Sequence, residues 1–158
     1  MFLRLGGFKQ RGRMSLLLLF VLLGLQNNLK AQSGVNDEAF LDACAEKIDD
    51  YNFLKAYKIG VKNLKKGKES DKKEYSYVLS KDTEYLLTVC TKNGGSSDIR
   101  LVLNIYDRNR KLIKSSYQSR RHQDVVKFTC GATGVYYFEY YFIGEGDGLG
   151  VSILAAIL

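Results

Sequence analysis

The sequence predicts an all-β protein, an eight-stranded antiparallel β-sandwich preceded by one short amphipathic helix. Two observations carry that prediction. From Phe53 onward apolar and polar residues alternate with a period of two, and the alternating runs are short and separated by clusters of Gly, Asn, Asp and Ser. Fifteen Gly against no Pro means that the turns rely on positive-φ and locally bonding residues rather than on fixed-φ corners. A length of 158 residues supports one ordinary domain.

The first 31 residues read as an export signal, distinct from the fold. Arg4, Lys9, Arg11 and Arg13 stand without an acidic residue ahead of the apolar run at 15–25 (SLLLLFVLLGL), and Lys30-Ala31-Gln32 follows. The run is eleven residues, against the roughly 20 that span a bilayer as a helix. Cleavage is expected between Ala31 and Gln32, leaving a mature chain with no transmembrane segment that is secreted or periplasmic. The full chain carries 24 Lys+Arg against 17 Asp+Glu, a charge of +7. Five of those bases lie in residues 1–31, so the mature chain keeps 19 against 17, or +2. The surplus that invites a nucleic-acid partner belongs to the signal, and no nucleic-acid partner is expected.

Residues 32–52 form an N-terminal helical segment, and 53–158 the sandwich. In 37–48 (DEAFLDACAEKI), Phe40, Cys44 and Ile48 recur at helical spacing with Leu41 and Ala45 beside them; Asn36 is placed to cap this helix. Eight strands follow, centred on Tyr57–Val61, Tyr75–Leu79, Tyr85–Cys90, Ile99–Ile105, Lys111–Lys114, Val126–Cys130, the run VYYFEYYFI and the run LGVSILAAI. The Lys-rich stretch KKGKESDKK, then KDTE, NGGSSD, DRNR, SRRHQD, GATG and GEGDG, read as the connections. In VYYFEYYFI, Tyr136, Phe138, Tyr140 and Phe142 share a face without charge, the better core. Glu139 places its own face toward water, with Tyr137 and Tyr141 as an exposed aromatic pair.

The phrases Tyr77-Val78-Leu79, Thr83-Glu84-Tyr85, Ile99 to Asp107, Lys111-Leu112-Ile113 and Thr133-Gly134-Val135-Tyr136-Tyr137 occur in an order that resembles the bacterial pre-peptidase C-terminal domain. The resemblance spans about half the chain. It implies a jelly-roll-like β-sandwich and a non-catalytic extracytoplasmic module. That family usually has Gly in the turn after its Asp-x-Asn, where this chain has Arg110. Its domains are typically appended to secreted enzymes, whereas this one is expected to stand alone.

Three cysteines permit one bridge and one spare thiol. In a jelly roll the third and sixth strands are antiparallel neighbours, and Cys90 and Cys130 then lie at opposite ends of the sheet, too far apart for a bridge. The expected disulfide is therefore Cys44–Cys130, pinning the helix to the sandwich, with Cys90 free. No CxxC pair occurs, and neither metal nor cofactor is expected.

No reaction is specified. His122, the only histidine, lies in a polar loop and reads as a solvated side chain, and Gly-x-Ser-x-Gly is absent. Glu145 and Asp147 in GEGDG read as hairpin-turn acids, with a Ca²⁺ loop as the weaker alternative. Lysines of the first strand and the turn after it (Lys55 to Lys73), and a second basic stretch of Arg108, Arg110, Lys111, Lys114, Arg120 and Arg121, read as edge protection, with docking to an anionic polysaccharide or lipid surface as the sharper reading. Tyr137, Tyr141 and Glu139 are the candidate ligand-binding residues. The expected function is an exported non-catalytic module that binds a protein or glycan partner at the cell envelope or outside the cell. The alternatives are a carbohydrate-active hydrolase using Glu139, and a purely structural envelope component.

Overall fold

A computed structural model describes residues 35–48, 50–93 and 98–157, and the expected signal peptide with its Ala31/Gln32 cut lies outside the described residues. The described residues begin with helix α1 (Val35–Ala45), which runs into a 3-10 turn (Glu46–Ile48). The helix starts two residues ahead of the predicted Asp37, so Asn36 lies inside its first turn. Ten strands follow: β1 (Asn52–Glu69), β2 (Lys73–Leu79), β3 (Glu84–Thr88), β4 (Cys90–Asn93), β5 (Arg100–Tyr106), β6 (Leu112–Ser115), β7 (Tyr117–Gln118), β8 (Arg121–His122), β9 (Val125–Thr129) and β10 (Gly134–Ala156). Eight of them form one antiparallel sheet, and β7 with β8 forms a separate hairpin. The described residues make an all-β fold with one short α-helix.

Strand β10 organises the architecture. Its first part pairs with β2 along one edge and with β5 along the other. Its second part pairs with β1 on one edge and with β4 and β3 on the other. Because Ile143 pairs both Glu69 and Arg100, β1 and β2 lie end to end on a single side of β10. The Tyr140 hydroxyl donates to Ser152 Oγ at 3.0 Å, so the two halves of one strand face each other across the core. Strands β9 and β6 extend the two halves outward through β3 and β5. Lys114 Nζ on β6 donates to the carbonyl of Lys127 on β9, bringing those outer strands together at the sandwich rim.

The predicted hairpin at GEGDG is therefore a bend within one continuous strand. Gly144 and Gly146 have φ of 113° and 100°, which only glycine adopts without strain, and β1 follows the bend with register shifts at Val61/Leu64 and Leu64/Lys68. A Cβ on Gly144 would lie 2.3 Å from the Asp98 carbonyl oxygen, so a side chain there would break the approach of the 98–99 segment. Asp147 caps the opposing bulge, its Oδ1 accepting the Asn63 N–H at 2.7 Å. That bond gives the loop's acid a structural role. Likewise β1 continues through most of the predicted Lys-rich turn, because the β10 edge offers it backbone partners as far as Glu69. The predicted loop SRRHQD contains a tight hairpin instead, with Ser119 and Arg120 at positive φ and β7 paired to β8.

The core lies between the two halves and holds the predicted face of β10, with Phe138, Tyr140 and Phe142 wholly inaccessible. Tyr57 on β1 joins them, its ring 5.8 Å from that of Tyr140 and 4.8 Å from that of Tyr75. Its hydroxyl has no hydrogen-bond partner among the described residues, and burial pushes its pKa up to about 12. A second, smaller cluster lies on the outer face of the β10 second half. There Cys44 of α1 meets Cys90, Val151 and Ile153, with Phe40, Ala45 and Ile48 packed beside them.

That second cluster corrects the disulfide. Cys44 is bonded to Cys90, with Cα atoms 6.0 Å apart, and Cys130 is the buried free cysteine. The third and sixth predicted strands are indeed antiparallel neighbours, as β3 and β9. Cys130, however, belongs to the inner core, whereas Cys44 lies outside the sheet. The expected Cys44–Cys130 bridge would have to pass through the sheet. Cys90 faces outward toward the helix by the period-two alternation of its strand: Tyr85, Leu87 and Val89 belong to the inner core, Cys90 falls on the opposite face, and β3 and β4 keep one register against β10.

Candidate functional site

The outer face of β2, β10 and β5 carries the chemistry. In an antiparallel pair, opposed residues share a face. Register places Glu74 opposite Glu139 and Val78 opposite Val135, and on the other side Tyr106 opposite Tyr137 and Asn104 opposite Glu139. Two carboxylates directly opposed would repel, and each has its own cation. Glu139 Oε1 accepts from Lys72 Nζ at 3.2 Å, while Glu74 Oε2 accepts from the Arg110 guanidinium.

Glu139 sits at the middle of this face. The same Oε1 also accepts from Asn104 Nδ2 at 3.1 Å and from the Tyr106 hydroxyl at 3.2 Å. Partial burial alone would push its pKa up, but the donors from Asn104, Lys72 and Tyr106 outweigh that and hold the carboxyl below its ordinary value. It is a fixed anion at neutral pH. A glycosidase acid needs the reverse, a carboxyl kept protonated by a poor set of donors.

The two tyrosines are half-buried. The Arg110 guanidinium carbon lies 3.6 Å from the Tyr137 ring centroid, and Lys72 Nζ lies 5.3 Å from that of Tyr141. The expected exposed pair is thus a pair capped by cations, the Arg110 guanidinium lying close over the Tyr137 ring. Beyond this polar ladder lie Val78, 64% exposed, and Val135, 38% exposed.

Sequence reasoning had Tyr137, Glu139 and Tyr141 on one face, which the structure shows, but missed Arg110, Lys72, Glu74, Asn104, Tyr106 and Val78 as their neighbours. One signal for Arg110 was available. It stands where the resembled family has Gly, and its φ is 62°, the left-handed region. An arginine there costs about 1 kcal/mol of backbone energy, which its place over Tyr137 and beside Glu74 helps to offset.

His122 is not the solvated side chain expected. It is half-buried and packed on Tyr117 with ring centroids 4.7 Å apart, its Nε2 buried and without a hydrogen-bond partner among the described residues. Burial, and then the charge of Arg100, push its pKa down, against a smaller opposing effect of Asp124. It borders a cleft of about 210 Å³ between α1 and the sheet, beside the disulfide and the Lys47–Asp124 ion pair of 2.9 Å. Among the described residues no nucleophile is hydrogen-bonded to its Nε2. Among the described residues no group of three His, Cys, Asp or Glu is placed to hold a metal ion, and no helix is long and apolar enough to cross a membrane.

Fold and site together define an antiparallel β-sandwich with a charged, tyrosine-bearing sheet face. No family model matches the chain, and no curated protein matches it in sequence. Among solved structures it is similar to PliG of Aeromonas hydrophila, described as a periplasmic lysozyme inhibitor of g-type lysozyme. The two share 13% identity and a TM-score of 0.44, over 69% of this chain and 90% of that one.

Proposed function

We propose that this protein is an exported, non-catalytic module that binds a protein partner through the outer face of β2, β10 and β5. The observation that carries the reading is the stacking of Arg110 on Tyr137 at 3.6 Å, next to the exposed Val78–Val135 pair. Tyrosine and arginine beside an apolar patch, held rigid by a sheet, make the composition that dominates protein–protein contacts. A glycan platform needs an open ring face for the sugar to stack on. Here the Arg110 guanidinium lies over the Tyr137 ring, 3.6 Å from its centroid, and covers surface that a sugar would stack on, so a protein is favoured over a sugar. The anionic Glu139, whose Oε1 takes three donors, is unsuited to the general-acid role of a hydrolase and supports a binding role. The basic, acid-free N-terminus and the Cys44–Cys90 disulfide support export to an oxidising compartment. A non-catalytic extracytoplasmic module is also what the resemblance to the pre-peptidase C-terminal domain implies.

Immobilised protein exposed to the extracytoplasmic proteins of its own source tests the reading. A species retained by wild type and by Lys62→Ala, and lost with Val78→Asp, is the expected result. Retention indifferent to Val78→Asp, or retention on a glycan array in place of protein capture, would overturn it.

A further inference from the structure

The turn that supplies Arg110 also walls a cleft of about 510 Å³ at one end of the sandwich, between the β5–β6 turn and the β9–β10 turn. Its volume is that of a ligand site. Two features give it a chemical preference. The first is charge. Asp107 is the acid lining the cleft, and its Oδ1 is engaged within the turn, accepting the N–H groups of Asn109 at 2.8 Å and Lys111 at 2.9 Å. The two cations on the cleft, Arg108 and Lys111, are exposed and have no carboxylate partner among the described residues. The second is shape and polarity. Leu112 and Ile113 line the cleft while 48% and 41% exposed, unusually open for large aliphatic side chains on consecutive positions. Across from them the backbone is bare: a Cβ built on Gly131 meets nothing within 4 Å.

We infer that this cleft binds an acidic peptide segment of a protein partner, its carboxylates on Arg108 and Lys111 and an apolar side chain against Leu112 and Ile113. Charge complementarity selects the acidic segment. A basic segment would meet two unneutralised cations, and a purely apolar one would bury them without partners. The bare glycine backbone admits a main chain at close range, which a compact ion does not require. The inference rests on the protein-binding reading and adds a second surface to it, one that shares the 107–110 turn with the first.

The probe is a fluorescein-labelled octapeptide of alternating Glu and Leu, with a Lys–Leu peptide as its counterpart, followed by anisotropy at low salt. Wild type should bind the Glu–Leu peptide saturably and ignore the Lys–Leu one. The double variant Arg108→Glu/Lys111→Glu should lose at least tenfold in affinity for the first and gain binding of the second. Gly131→Leu fills the cleft at a position without positive φ, and it should lose at least tenfold while keeping the wild-type circular dichroism spectrum. The equal reversal Lys62→Glu/Lys65→Glu on β1 should stay within twofold. No saturable binding, equal losses from both reversals, or full binding by Gly131→Leu would each overturn the inference. Peptide binding is read on the isolated protein, so its failure leaves Val78-dependent partner capture untouched. Conversely, capture that fails while the peptide still binds would count against the outer face alone.

Discussion

Replacing both Cys44 and Cys90 by Ala tests the corrected disulfide and the attachment of α1. The bridge closes a loop with a sequence separation of 46. In the chain-entropy description, a loop of that length restricts the unfolded ensemble by about 4 kcal/mol at 25 °C. The compact unit from Asn36 onward has about 120 residues, for which unfolding entropy near the midpoint is roughly 0.25 kcal/mol per degree. The double variant should therefore melt about 15 °C below the oxidised wild type, as should wild type held in reductant. Cys130→Ala removes only a small buried side chain and should cost about 1 kcal/mol, or roughly 4 °C. Thermal scans by circular dichroism, with peptide mapping of the unreduced protein, read both quantities. A crosslinked peptide containing Cys130 would refute the assignment, as would a large destabilisation by Cys130→Ala with little from the double variant.

Three further outcomes follow from the geometry. Gly144→Ala should cost about 3–4 kcal/mol, since it combines a strained φ with a Cβ driven into the Asp98 carbonyl, and chemical denaturation would measure it. His122 is held neutral in the folded state below its ordinary value, so the unfolded chain takes up the proton first as pH falls through about 6.5. Its contribution to stability is present above that pH and declines below it. The difference in melting temperature between wild type and His122→Gln should accordingly shrink from pH 8 to pH 5; a constant difference would contradict the assignment. A screen with chromogenic glycosides between pH 4 and 8 should show no turnover, because Glu139 stays ionised among its donors and cannot act as the general acid that protonates a leaving group. Turnover abolished by Glu139→Gln would reverse that reading.

The parts of the fold set by local periodicity were legible in the sequence. Alternation in VYYFEYYFI separated Tyr136, Phe138, Tyr140 and Phe142 from the outer face correctly, because a half-buried strand imposes a period of two. The helical spacing of Phe40, Cys44 and Ile48 marked the side of α1 that packs on the sheet. What failed depended on partners distant in the chain. Glycine-flanked acids read as a turn when taken alone, and only the long β1 edge reveals that GEGDG is a bend inside β10. The choice among cysteines depended on which face of the sheet α1 covers: alternation sets Cys90 apart from the inward Leu87 and Val89 and sets Cys130 with the inward Val126 and Phe128, but only the packing of α1 shows which face Cys44 meets. The cap on Tyr137 comes from a turn residue 27 positions earlier, so alternation could mark that face as outward without showing what covers it.

The most direct test of a protein-binding face is the affinity of the captured partner for Arg110→Gly. Glycine suits the φ of 62° at that position, so the variant should fold at least as readily as wild type while uncovering Tyr137 and freeing Glu74. Titration calorimetry against wild type should show at least a tenfold loss of affinity, with an unchanged melting temperature. Wild-type affinity in a variant that has lost the arginine would contradict the central claim.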